Sequence, residues 1–191
     1  MADPLVKITA KTAAEVCAKF ALGDEAKALL KEGMTPDQFL GILREKEQFT
    51  DALRFLAQAL PKREAVFWAY ACAKETAGDK PPENIAKALA TVHKWIVDPS
   101  EENRRAAQPA YEAAELGTPA GCAAVAVFWS GGSMAPKEAP VVPPPDPLTG
   151  HGVASALMLA GVQKEAEKFK QKYASFVERG LAVASGKLKW S

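Results

Sequence analysis

Thr35-Pro36-Asp37-Gln38 writes a helix start in four residues. The threonine hydroxyl can accept from a first-turn N–H, and the fixed φ of proline suits the first helical position. Starts of this kind recur along the chain and constrain its fold more than any other feature. Thr12-Ala13-Ala14-Glu15 is a capping box, and Gly23 should end the helix it opens. Asp24 is expected to cap a short helix over 25–32, stopped by Gly33. The helix from Thr35 sends Phe39, Leu40, Ile42 and Leu43 inward. Thr50 is expected to open another, with Leu53, Phe55, Leu56 and Leu60 on its apolar side and Pro61 beyond it. A helix over 62–76 follows, containing Ala65-Val66-Phe67-Trp68 and ended by Gly78.

Pro81-Pro82-Glu83 begins a helix to Val97, with Ile85, Leu89, Val92 and Ile96 at helical spacing. Asp98-Pro99 breaks it, and Ser100 caps a helix over 101–116 that Pro109 should kink or split. Thr118-Pro119 opens 120–129. Thr149 begins a helix through 153–162, expected to run on through Phe169, Tyr173, Phe176, Val177 and Leu181 until Gly186. Only Val6 to Thr9 has any strand character. The chain therefore reads as all-α, one domain over 1–191 of about eight to ten helices with a Pro-rich loop near 134–148. Ala-Val-Phe-Trp occurs at 65–68 and 126–129, so stacked helix pairs compete with an irregular bundle.

Alanine makes up about a fifth of the 191 residues and aromatics 8%, which favours closely packed helices. A net charge of +1 lacks the basic excess of a dedicated nucleic-acid binder. Cys17, Cys72 and Cys122 stand apart inside apolar helical patterns and read as reduced, buried thiols of a cytoplasmic protein. No signal peptide is visible at the N-terminus. The longest uncharged apolar stretches, 120–129 and 153–162, are half the length of a membrane span and read as core helices.

Little here suggests catalysis. His93 lies within a helix, and His151 sits between two glycines at a helix start. No His, Cys, Asp or Glu cluster has metal-ligand spacing, and no phosphate loop occurs, so neither metal nor cofactor is expected. Ser130-Gly131-Gly132-Ser133 could hold a nucleophile, with His151 as its base, but it follows a helix where a nucleophile elbow follows a strand. The plainer reading is a helix C-cap with Gly131 at positive φ. Glu101-Glu102 and Glu45/Glu47 read as helix-start or solvent-face acids. Lys164, Lys168, Lys170 and Lys172, interleaved with Glu165, Glu167 and Glu178, read as a solvated face. Lys187 to Trp190 is an anchoring tail or a plain chain end.

The segment from Phe128 to Pro147 differs from everything around it. Two aromatics precede two glycines, and a proline run follows that cannot be helical. Ala139 to Pro147 should be extended, with Val141 and Val142 seeking burial and the segment packed against the helix from Thr149. Trp68 and Trp95 read as core, while Trp129 either wedges the loop or anchors a partner. The candidate partner-binding residues are Phe128, Trp129, Ser130, Gly131, Gly132, Ser133, Met134, Pro136, Pro143, Pro144 and Pro145. The same loop could instead be a strap that seals the core.

Thr118 to Pro136, with Ala65 to Glu75, Glu101 to Ala107 and the Pro-rich loop, resembles an uncharacterised bacterial family of small all-helical proteins. Phe128-Trp-Ser-Gly-Gly-Ser133 is the specific part of the likeness. The resemblance implies an accessory role in Gram-negative bacteria, loosely associated with type VI secretion gene clusters, and brings no catalytic residues. The expectation is a non-enzymatic adaptor, chaperone or accessory component with a protein partner. The alternatives are a hydrolase-like enzyme using the Ser-Gly-Gly-Ser turn and a structural helical-repeat subunit.

Overall fold

The computed structural model describes residues 4–190. Among these, ten α-helices and one short 3-10 helix form the chain, with no strand. The helices are α1 (Ala13–Cys17), α2 (Asp24–Leu29), α3 (Pro36–Glu45), α4 (Phe49–Ala59), α5 (Lys62–Ala77), α6 (Glu83–Val97), α7 (Glu101–Ala114), α8 (Pro119–Phe128), α9 (Leu148–Val162) and α10 (Phe169–Ala184). The 3-10 turn, Ala166–Lys168, precedes α10. None of the helices is long and apolar enough to cross a membrane.

Local capping explains most of the starts. Thr35 Oγ1 accepts from Gln38 N at 3.3 Å, while Gln38 Oε1 accepts from Thr35 N at 3.0 Å. Thr118 Oγ1 accepts from Gly121 N at 3.0 Å, and Ser100 Oγ from Asn103 N at 3.4 Å. Other boundaries differ from expectation. Helix α1 ends at Cys17, well before Gly23, and Gly23 rather than Asp24 caps α2. Gln48, not Thr50, precedes α4. Pro109 does not split α7. Its ring removes one backbone donor, and the rest of the ladder carries on past it.

The largest difference is at 163–168. The expected continuous helix is two helices, because Glu165 takes the left-handed conformation with φ 48° and turns the chain. This lets α10 fold back against α9. Gly161 makes the return possible, since a Cβ there would lie 2.2 Å from Tyr173 Cε1.

Every residue of α8 is buried, and α9 is apolar around most of its circumference. A helix apolar on all sides belongs in the middle of a fold. Helix α8 packs on α7 and α9, and α4, α5 and α10 enclose α9. Ala126 and Gly152 touch where α8 and α9 cross, and a Cβ on Gly152 would stand 2.9 Å from Ala126 Cβ. Trp68 is fully buried, and Trp95 nearly so. The C-terminal tail is anchored: Trp190 meets Phe67 edge to face at 5.8 Å, with the Arg63 guanidinium 4.5 Å from its ring. The two Ala-Val-Phe-Trp copies end differently, because Trp68 donates to Phe176 O whereas Trp129 is half-exposed.

Candidate functional site

Helix α8 ends at Phe128, leaving carbonyls that no further turn can satisfy. The chain then reverses through two glycines and leaves more carbonyls pointing at α7. Arg104 answers them. Its side chain is buried at 4% exposure. Nη1 donates to Phe128 O, and Nη2 to Ser133 O at 3.0 Å. Nε and Nη2 also grip Glu101 Oε2 and Oε1 at 2.6 and 2.8 Å, a bidentate pair on one helix face. Arg105 donates to Ala135 O at 3.0 Å and to Glu101 Oε1 at 2.9 Å. Two guanidinium groups, held by one carboxylate, therefore collect three loop carbonyls. The hydrogen bond from Arg104, helped by its charge and by Arg105, keeps Glu101 below the usual carboxylate range. Glu101 is thus a helix-start acid, as expected, and also the residue that aims both arginines.

Gly132, not Gly131, holds positive φ, at 60°. A Cβ on Gly132 would lie 2.7 Å from Glu101 Oε2 and 2.8 Å from Arg104 Nε. A Cβ on Gly131 would meet nothing within 4 Å. Neighbouring glycines look alike in sequence, and only the arginine clamp tells them apart.

Ser133 is buried, and its hydroxyl oxygen accepts from Ala135 N at 3.1 Å and Val142 N at 3.0 Å. Val142 O in turn accepts from Met134 N at 2.8 Å. These bonds pin the returning strap to the turn. The far end is fixed as well. Thr149 Oγ1 donates to Trp129 O at 2.9 Å, and Gln58 Nε2 to Pro147 O at 3.0 Å. Asp146 lies 3.3 Å from Lys19 Nζ and 3.5 Å from Lys62 Nζ. Contact with Lys19 first, then Lys62, holds Asp146 below its ordinary range.

Between these ends the strap faces solvent. Val141 is 75% exposed and Val142 48%, against the expected burial. The strap is held by backbone hydrogen bonds and end contacts, so its valines need not point inward. Pro136, Pro143 and Pro145 are exposed, while Pro144 and Met134 are half-buried. Phe128 is buried, with the Arg104 guanidinium 5.0 Å from its ring centre, and Trp129, Ser130 and Gly131 are half-buried. Gly132 is exposed, so of the eleven candidate residues only Phe128 and Ser133 are buried.

His151 is exposed, and no hydrogen bond joins it to Ser130 or Ser133. Cys72 and Cys122 are buried and Cys17 half-buried, all three as free thiols. Burial pushes Cys72 up to about 12 and Cys122 to about 11.

Residues 39–184 match the model of a family described as a family of unknown function (DUF6931). The chain belongs to that family. The matched span contains the arginine clamp, the glycine turn and the strap, while α1 and α2 precede it. No curated protein and no solved structure matches the chain.

Proposed function

We propose that this family member acts through protein–protein contact at the strap, as a non-enzymatic adaptor, chaperone or accessory component. The observation that carries the reading is the exposure of Val141 and Val142 on a segment fixed at both ends. Apolar side chains on a restrained backbone lose little conformational entropy on binding. The prolines on either side restrict that backbone further and remove donors, so recognition falls to side-chain shape. Pro140-Val141-Val142-Pro143 suits a partner groove lined by aromatic side chains. Accessory service to a type VI secretion system of a Gram-negative bacterium fits this reading, on the resemblance of the Phe128–Ser133 core.

Affinity capture from the native host tests it, with Val141→Asp and Pro143→Ala as variants. Both should lose a partner that the wild type retains, with an unchanged melting temperature. A synthetic peptide of residues 136–147 should compete for the same partner. Normal capture by both variants, or loss only in step with stability, makes the strap scaffold and refutes the reading.

A further inference from the structure

Helices α8, α9 and α10 leave a cavity of about 440 Å³ between them. Its wall includes Cys122, Trp129, Met158, Leu159, Val162 and Tyr173, and no charged side chain lines it. The volume is that of a small-ligand site. Tyr173 Oη donates to Met158 O at 3.1 Å, and Cys122 Sγ to Leu116 O at 3.0 Å. These polar atoms are therefore committed to the backbone, and the walls are mostly hydrocarbon. Among the described residues the Trp129 indole N–H and the Ser155 hydroxyl have no hydrogen-bond partner.

The mouth is also apolar. Leu116 is 51% exposed, Val162 41% and Phe169 37%, and Phe169 rests edge to face on Tyr173 at 5.5 Å. These are three of the seven large apolar residues exposed among those described. Grouping of this kind marks a surface that something else covers. Leu116 follows Glu115, whose backbone (φ 66°, ψ 144°) lies in a region that side chains rarely enter. The strain sits at the edge of the mouth.

Charge narrows the occupant. The turn from Val162 into α10 holds Lys164, Lys168, Lys170 and Lys172 against Glu165 and Glu167. Lys168 pairs with Glu165, and Lys172 reaches Lys164 O. The exposed turn keeps a basic excess. Glu115 and Lys164 both border a separate hollow shared with Pro81 and Pro82, so the lysines left for this mouth are Lys168, Lys170 and Lys172.

We infer that this cavity takes one alkyl chain ending in an anionic head, the chain against Trp129 and Tyr173 and the head toward the lysines of 168–172. Two sources share that chemistry, a free fatty acid and the acyl chain of an anionic bilayer lipid.

Titration of the full chain with dodecanoate below its micelle concentration, read by tryptophan fluorescence and calorimetry, tests the inference. Saturable one-to-one binding is expected. Dodecanol and dodecyltrimethylammonium should bind at least tenfold more weakly. Ser155→Phe, which fills the cavity from α9, should abolish binding while keeping the helical circular dichroism. Lys170→Glu should weaken dodecanoate and leave dodecanol unchanged. Phosphatidylglycerol vesicles form the second arm. Binding to them without dodecanoate binding, and lost in Ser155→Phe, assigns a bilayer lipid. No saturable binding in either arm, or binding that survives Ser155→Phe, overturns the site. Equal affinity for dodecanoate and dodecanol overturns the anionic head.

Discussion

Gly180 lies flat against the indole of Trp68, so close that a Cβ on the glycine would stand 2.8 Å from Trp68 Cζ2. The indole N–H meanwhile donates to Phe176 O at 2.9 Å, one turn earlier on the same helix. Helices α5 and α10 are thereby locked by one bulky side chain and one absent one. Gly180→Ala should destabilise by about 1–3 kcal/mol, because this packed interior has nowhere to move. Chemical denaturation should show a lower midpoint with an unchanged slope. A variant as stable as wild type would mean that α10 can slide.

The two glycines of the turn should respond oppositely. Gly132→Ala forces a side chain onto positive φ and into the Arg104–Glu101 pair, and should cost about 1–3 kcal/mol. Gly131→Ala meets open space and should stay within about 0.5 kcal/mol of wild type. Thermal melts of the pair decide whether the clamp or mere turn flexibility demands glycine.

Arg104→Met removes the donors to Phe128 O and Ser133 O and should destabilise by about 2–4 kcal/mol. Arg104→Lys should recover only part of this, since one ammonium cannot reproduce the planar fork. Amide exchange should rise at Met134 and Val142 in both variants. Protection retained at those amides in Arg104→Met would show that the Ser133 latch suffices.

Acid should loosen the loop before the core. Glu101 and Asp146 are both held below their ordinary range in the folded protein. Their contribution is therefore full above the unfolded values, near pH 4, and fades as pH falls through the lower folded values. Loop amide exchange should accelerate below about pH 4 while far-UV circular dichroism is still native. Raising pH from 5 to 8 should leave these contacts intact. Loop and core amides opening together on acidification would contradict the order.

The fold was legible because its signals are local. Thr35, Ser100 and Thr118 cap helices through their own neighbours, and nothing distant overrides them. The wholly apolar 120–128 stretch announced a central helix. The break at Glu165 gave no signal, since no glycine or proline lies in 163–168. Space for α10 on α9, granted by Gly161, decides it instead.

The candidate site was half legible. Its unusual composition marked the 128–147 segment, but its fastener lies on another helix. Glu101-Glu-Asn-Arg-Arg105 looks like an ordinary solvated helix start. The available signal was chemical: a Gly-Gly turn with spare carbonyls needs cations, and Arg104 and Arg105 sit three and four residues after Glu101. Val141 and Val142 misled for the opposite reason. Hydrophobicity forecasts burial only where side chains, rather than backbone bonds to Ser133, hold the segment.

Glu115 holds its strained backbone where glycine would sit at ease, and its carbonyl accepts from Thr118 to close the turn into α8. Stability and shape therefore compete at one residue. Glycine there would relax the strain and loosen the rim that carries Leu116. The chain keeps the strain, and with it a cavity entrance of fixed outline.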